Sequence, residues 1–441
     1  MNNTPFEYLR DSTIDARIRA HRFISKLGYT PTVKDSEKEI NKLHKKYPDL
    51  IEAFFNRSES RMQDDFKDTS IYEIKNTNPV ISRVISSIHQ SPLWTEWMQW
   101  FLQNLEQFDH LNPKRILDCG ADTGVTTFFL AALYPDAQII GIEICENGIT
   151  LAEQMKQRNG FDNVTFIQSD LVEYLNDNEG QFDFLNSLTC IREVFQNLDP
   201  STAKWSLEVE SHLDRQLPVN DFNHKLSESL RKCLKSTVSP AVIMERISDE
   251  KYCQEFLNNL GSAGAHVKQS DGIHFEVFGE SEFMPLLVVT FEEQPKKYSL
   301  LDALGTMGSC DAIMLQEAQK RRDILQCLLF EAISNKRLCQ GSTFEYTNGS
   351  GIEYAEIWQT DTLLIGHYRN VYGMAELEYW PLCYKTGAQK FLKEHEARTH
   401  GCCDHQHYSS IEEKAVILDA FKEKYSDKFG EEGKKRVKRT L

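Results

Sequence analysis

The sequence is short of every feature that would take it out of the ordinary globular class. A membrane span needs roughly 18 consecutive apolar residues, and the longest apolar run, around Phe128 to Tyr134, falls far below that. The first residues, Met1-Asn2-Asn3-Thr4-Pro5, are neither basic nor apolar, so no secretory leader and no membrane association are expected. Proline (13) and glycine (22) are too sparse in 441 residues for a collagenous or low-complexity chain. The 11 cysteines, an odd number without a framework spacing, argue against a disulfide scaffold and suit free thiols in a reducing, cytoplasmic setting.

Positive charge is scarce as well. The chain carries 50 basic and 66 acidic side chains, and 14 of the 16 excess negative charges lie within residues 110–292. Proteins grip nucleic acid largely by setting Lys and Arg against phosphates, so a DNA or RNA substrate is disfavoured. What is present is a 40% apolar composition, enough for a large core. At about 150 residues per domain, the length suits roughly three domains.

Residues 1–109 read as a helical region. Apolar residues recur at helical spacing from Ile14 to Ile24, with Gly28 as a stop, then from Ile40 to Tyr47, from Leu50 to Phe55 and from Val80 to Ile88. The strongest stripe is Trp94, Trp97, Met98, Phe101 and Leu105, one apolar face that predicts packing on the neighbouring domain. Residues 110–292 alternate strand and helix. Expected strands are Arg115–Asp118, Gln138–Glu143, Val164–Gln168, Phe182–Leu185, Ala241–Glu245, Ile273–Phe278 and Pro285–Phe291, the last two joined by an antiparallel return. The pattern predicts an α/β fold with a doubly wound sheet, interrupted by an acidic insertion at about 193–221. Residues 300–441 read as a C-terminal α+β module. It comprises a helix over 311–334, an antiparallel region with a hairpin turn at Asn348-Gly349-Ser350-Gly351, a Cys/His-rich loop, a helix over 411–425 and a basic tail. This module is a candidate for substrate selection or homodimerisation.

The segment Asp118-Cys119-Gly120-Ala121-Asp122-Thr123-Gly124 lies between a strand and a helix. Glycines there allow close backbone approach, and a helix N-terminus favours a carboxylate or phosphate. Glu143 ends the second strand and Asp170 the third, so acidic side chains line the carboxyl edge where doubly wound sheets bind ligands. Glu143 is placed to accept from both hydroxyls of a ribose. Asp170 could accept from an adenine amino group, with the Leu171 N–H facing a ring nitrogen. A nicotinamide-dependent oxidoreductase also uses a glycine turn and a later acid, but its Gly-x-Gly-x-x-Gly fingerprint fails here, with Asp122 and Val125 in the second and third places.

The run Ile116-Leu-Asp118-Cys-Gly120-Ala-Asp-Thr-Gly124, then Ile140-Gly-Ile-Glu143, then Val164-Thr-Phe-Ile-Gln-Ser-Asp170 resembles the class I, Rossmann-type S-adenosylmethionine-dependent methyltransferases. The resemblance covers about residues 112–292 and implies a seven-stranded sheet with a late antiparallel pair. It implies that Asp118, Gly120 and Gly124 surround the methionine end of the cofactor, Glu143 the ribose, and Asp170 with Leu171 the adenine. One place departs: Asp122 stands at the usual middle glycine, where it would repel the cofactor's carboxylate, pair with its ammonium or sulfonium, or cap the following helix.

The implied reaction is in-line methyl transfer to a small molecule or protein. The stretch Asn186-Ser187-Leu188-Thr189 lacks the Asn/Asp-Pro-Pro-aromatic tetrad of nucleic-acid amino methyltransferases. Candidates for a base or acceptor contact are Asn186, Glu193 and Glu245. A scaffold that binds cofactor without turnover is the alternative from another class. In the C-terminal module Cys403, His405 and His407 would share one face of an extended segment and, with Cys383, could hold zinc, although no familiar spacing matches.

Overall fold

The computed structural model describes residues 6–63, 70–195, 219–247, 250–277, 280–298, 300–310, 330, 333, 335–346, 352–369, 375–398, 402–420 and 423. The expected helix over 311–334, nearly all of the acidic insertion, the hairpin turn and the basic tail therefore lie almost wholly outside the described residues. No helix among the described residues is long and apolar enough to cross a membrane.

Local chemistry sets the N-terminal helices: α1 (Ala16–Leu27), α2 (Ser36–Lys46), α3 (Pro48–Gln63), α4 (Ser70–Asn76), α5 (Pro79–His89), α6 (Ser91–Gln103) and α7 (Leu105–Asp109). Asp15, Asp35 and Asn78 accept from the free N–H groups of the first turns of α1, α2 and α5, and Gly28 closes α1 in the left-handed region. The aromatic stripe falls on α6, with Trp97 and Phe101 buried. Trp97 packs edge-on against Phe129 at 5.4 Å, and Phe101 reaches Phe184 at 6.0 Å, so α6 lies on a face of the sheet as its periodicity predicts.

Next come β1 (Arg115–Cys119), α8 (Val125–Leu133), β2 (Gln138–Glu143), α9 (Glu146–Asn159), β3 (Val164–Gln168), α10 (Leu171–Asp177), β4 (Phe184–Leu188) and α11 (Ile191–Val194). They are followed by α12 (Asp221–Cys233), β5 (Ala241–Met244), α13 (Glu250–Gly261), β6 (Ala265–Val277) and β7 (Glu280–Phe291). The seven strands are ordered β3-β2-β1-β4-β5-β7-β6. The neighbours β3, β2, β1, β4 and β5 pair in parallel, and β7 runs antiparallel to both β5 and β6. Order reverses between β1 and β4, which makes their carboxyl ends the switch point. The fourth strand starts two residues later than expected, and β6 is longer, beginning at Ala265. The N-terminal helices and this sheet belong to one compact unit.

A second unit holds a five-stranded sheet ordered β11-β10-β9-β8-β12, from β8 (Arg337–Tyr346), β9 (Ile352–Gln359), β10 (Leu363–Arg369), β11 (Ala375–Pro381) and β12 (Cys402–Tyr408). The expected Cys/His-rich loop is instead a helix, Lys385–Arg398, followed by the edge strand β12. Its polar residues disguise it, because an edge strand needs only one apolar face. One face of this sheet carries the buried carboxylate of Glu356, which accepts from Trp358 Nε1 (3.0 Å), Tyr408 Oη (2.7 Å) and Lys414 Nζ (2.8 Å). His367 Nδ1 lies 3.4 Å from the same carboxylate.

Candidate functional site

The loop after β1 turns back over β2: the N–H groups of Gly120 and Ala121 both donate to the Ile142 carbonyl at 2.9 Å. Gly120 and Gly124 have φ of 72° and 85°, where a Cβ is strained. A Cβ would also lie 2.7 Å from that of Cys190 at Gly120, and 2.5 Å from the Phe166 ring at Gly124. Close packing against protein thus already requires both glycines.

Asp118 is buried at the end of β1, accepting from Thr126 Oγ1 (2.8 Å) and Thr127 Oγ1 (2.6 Å) of α8 and from Asn186 Nδ2 (2.7 Å) of β4. Burial raises its carboxyl above the usual range, opposed by those three donors. The Asn186 side-chain oxygen is left as a buried acceptor without a partner among the described residues. Glu143 occupies the tip of β2, where its two oxygens accept the N–H of Asp122 (2.8 Å) and of Cys145 (2.9 Å). Burial, and then the Asp122 charge, push its carboxyl upward, while those N–H groups and Lys75 pull it back. Asp170 is exposed at the rim, its Oδ1 capping α10 through the N–H groups of Val172 (2.8 Å) and Glu173 (3.2 Å), and Leu171 is buried behind it.

Asp122 does not cap α8, the ordinary role its position suggested; α8 has Gly124 at its cap position and no side-chain cap. Its carboxylate instead meets Lys75 Nζ (2.5 Å) and Asn76 Nδ2 (2.7 Å) of α4, with Gln90 Nε2 at 3.4 Å. Sequence reasoning missed this contribution of α4. Its Glu73 accepts from the backbone N–H groups of Glu146 (2.8 Å) and Asn147 (3.2 Å) at the start of α9, and Tyr72 donates to Glu193 at 3.0 Å. One short helix thereby touches the tips beyond β2, β1 and β4. The available signal was an acid in a glycine loop, a charge that has to be balanced once buried.

On the other side of the switch point, Glu245 is buried just past β5 and accepts the Arg192 N–H at 3.2 Å. Burial pushes its carboxyl up to about 8, with the Glu193 charge adding to the rise. The Arg192 guanidinium is turned to Tyr252 Oη at 2.8 Å. His89, at the end of α5, is pushed down to about 4 by burial and by the positive charges of Arg246 and Lys75. Asn186, Glu193 and Glu245 therefore stand at the β4 and β5 tips in three environments, Asn186 committed to Asp118.

Of the expected Cys/His ligands, the side chains of Cys383, His405 and His407 are described. His405 packs edge-on against Phe344 at 4.8 Å, His407 Nδ1 lies 2.8 Å from Ser342 Oγ, Cys383 is exposed, and the Cys403 side chain lies outside the description. Among the described residues no group of three or more His, Cys, Asp or Glu could hold a metal.

Residues 111–259 match the family model of a methyltransferase domain. An uncharacterized protein of Synechococcus sp. is 36% identical over 91 residues, which are 20% of this chain; the chain spans about a fifth (21%) of the length of that curated relative. Solved structures similar to this chain include a putative sarcosine dimethylglycine methyltransferase from Galdieria sulphuraria, at 16% identity over 41% of this chain and 64% of that one, with a TM-score of 0.29. A SAM dependent methyltransferase from Aquifex aeolicus is similar at 15% identity over 42% and 88% of the two chains, with a TM-score of 0.27.

Proposed function

From the premise that residues 111–259 form a class I, Rossmann-type methyltransferase domain, we propose that the chain moves a methyl group from S-adenosylmethionine to a small-molecule or protein acceptor. The observation that carries this reading is the Glu143 carboxylate, held at the β2 tip by the N–H groups of Asp122 and Cys145 within the matched segment. A carboxylate fixed by one bond to each oxygen keeps lone pairs to accept vicinal hydroxyls. The other donors and acceptors fit the group too. Asp118 and the orphaned Asn186 oxygen offer acceptors for an ammonium, and Asp170 with the Leu171 N–H can read an adenine edge.

Bound S-adenosylmethionine supplies an activated methyl group on a sulfonium. The chain's part is to hold the acceptor in line, exclude water and, where the acceptor loses a proton, receive it. Glu245 is the candidate for that proton, since a carboxyl near 8 gains and loses protons around neutral pH.

One observation favours a second reading, a cofactor-binding scaffold without turnover: α4 lies across the same tips through Tyr72, Glu73, Lys75 and Asn76. Two measurements test the proposal. Calorimetry should show S-adenosylhomocysteine binding that Glu143→Ala weakens at least tenfold; equal affinities would refute the assigned pocket. Incubation with isotopically labelled methyl donor and cell extract should put label on one compound or protein, whereas cofactor binding with no labelled product would leave the scaffold reading.

A further inference from the structure

We propose that the polar face of α5, centred on Ser86, lines the pocket for the methyl acceptor, and that this acceptor is a small molecule presenting an uncharged hydroxyl or amine to the Ser86 hydroxyl. The inference deepens the methyl-transfer reading above and rests on it; α5 lies wholly outside the matched segment.

The face follows from the spacing of α5. Ile81, Ile85 and Ile88 are buried, and the first two join an apolar cluster with Ile51 and Ile71. Ser82, Ser86, His89 and Gln90, at i, i+4, i+7 and i+8, form an adjoining polar stripe. Both ends of the stripe reach the glycine loop. Ser82 Oγ donates to Asn76 Oδ1 at 2.7 Å, and Asn76 holds Asp122, while Gln90 meets Lys75 and Asp122 directly. His89 feels the charges of both Lys75 and Arg246, the residue after Glu245. The C-terminal half of α5 therefore stands between the loop after β1 and the tip of β5, at the switch point of the sheet.

Ser86 lies in the middle of this stripe, fully buried, and its hydroxyl has no partner among the described residues. Ser91 Oγ, at the start of α6, is in the same condition. A buried hydroxyl that bonds to nothing destabilises the fold, and alanine would suit the helix better without that cost. Two of them on adjoining helices beside the ligand edge are accounted for by a polar guest that supplies their bonds. The guest's chemistry follows from what surrounds it. Ser82 and Gln90 are committed to protein partners, and Lys75 and Asp122 neutralise one another. His89 is uncharged at neutral pH, so the stripe offers uncharged hydrogen-bonding groups and matches an uncharged polar group. The complete burial of Ser86 and Ser91 suits a small molecule that can be enclosed rather than a residue carried on a protein surface.

The test uses the full chain, isotopically labelled S-adenosylmethionine and cell extract divided into a protein-free filtrate and the retained proteins. Label should enter a compound of the filtrate, and Ser86→Ala should slow that labelling roughly three- to tenfold, the worth of one neutral hydrogen bond. The same variant should bind S-adenosylhomocysteine within about twofold of wild type and show an equal or higher urea midpoint, because it removes an unsatisfied buried group. Four results overturn the proposal and leave the cofactor reading standing: label confined to the retained proteins, an unchanged labelling rate, a lowered urea midpoint, or S-adenosylhomocysteine binding weakened as much as labelling. The third would make the hydroxyl structural, and the fourth would turn it toward the cofactor. A wild-type chain that binds S-adenosylhomocysteine but labels nothing overturns methyl transfer and this proposal together, and one that does not bind it overturns the cofactor reading as well.

Discussion

At the scale of single residues, burial decides what each acid can do. Glu245 is held protonated in the folded chain at pH values where an exposed glutamate is ionised, so the folded state binds the extra proton between the ordinary carboxylate range and about 8. Its contribution to stability is therefore lost as pH rises through that window. Relative to Glu245→Gln, the wild-type chain should lose stability on going from pH 5 to pH 8 in urea titrations; parallel curves would mean that the carboxyl is not perturbed. If Glu245 receives the acceptor's proton, the methyl-transfer rate should climb over the same interval and flatten above it. Gly124 offers a second single-residue test. Gly124→Ala combines a left-handed φ with a Cβ 2.5 Å from Phe166, so a loss of about 1–3 kcal/mol or more is expected from chemical denaturation.

At the scale of elements, legibility followed burial. The parallel strands β1 and β2 are short runs buried almost throughout, the edge strand β3 alternates buried and exposed positions, and all three sit where the pattern placed them. The α6 stripe was equally readable, because an aromatic every three or four residues has one physical explanation. Trp97→Ala should cost roughly 3–5 kcal/mol, the range for emptying a buried aromatic site, read as a lowered urea midpoint; a negligible change would contradict its place between Phe101 and Phe129. What could not be read was α4. Seven residues with Ile71 and Ile74 as the aliphatic signal give no periodicity, and the work of Glu73, Lys75 and Asn76 depends on tertiary contacts across 46 to 74 positions of sequence. The Asp118, Glu143 and Asp170 tips were visible because they end strands, but that Asp122 turns to α4 rather than to α8 was not. The C-terminal Cys/His stretch misled for the opposite reason: polar residues on an edge strand and an adjoining helix look like loop until their pairing is known.

At the scale of the whole molecule, two compact units carry different electrostatic problems. The first concentrates acids at the carboxyl edge of its parallel strands. The second buries Glu356, whose burial alone would raise its carboxyl, but Lys414 and His367 hold it below the usual range. A depressed carboxylate supplies stability above its unfolded pKa and loses it as pH falls through the ordinary carboxylate range and below, so the second unit should unfold on acidification. Glu356→Gln should flatten that dependence in tyrosine and tryptophan fluorescence titrations; an unchanged acid transition would place its cause elsewhere.

The Lys75–Asp122 contact also has a historical consequence. The two positions are 47 apart, and a change at either alone would strand its partner's charge away from water. Drift should therefore alter them jointly, with an uncharged residue at the loop position wherever the fourth helix has given up its lysine.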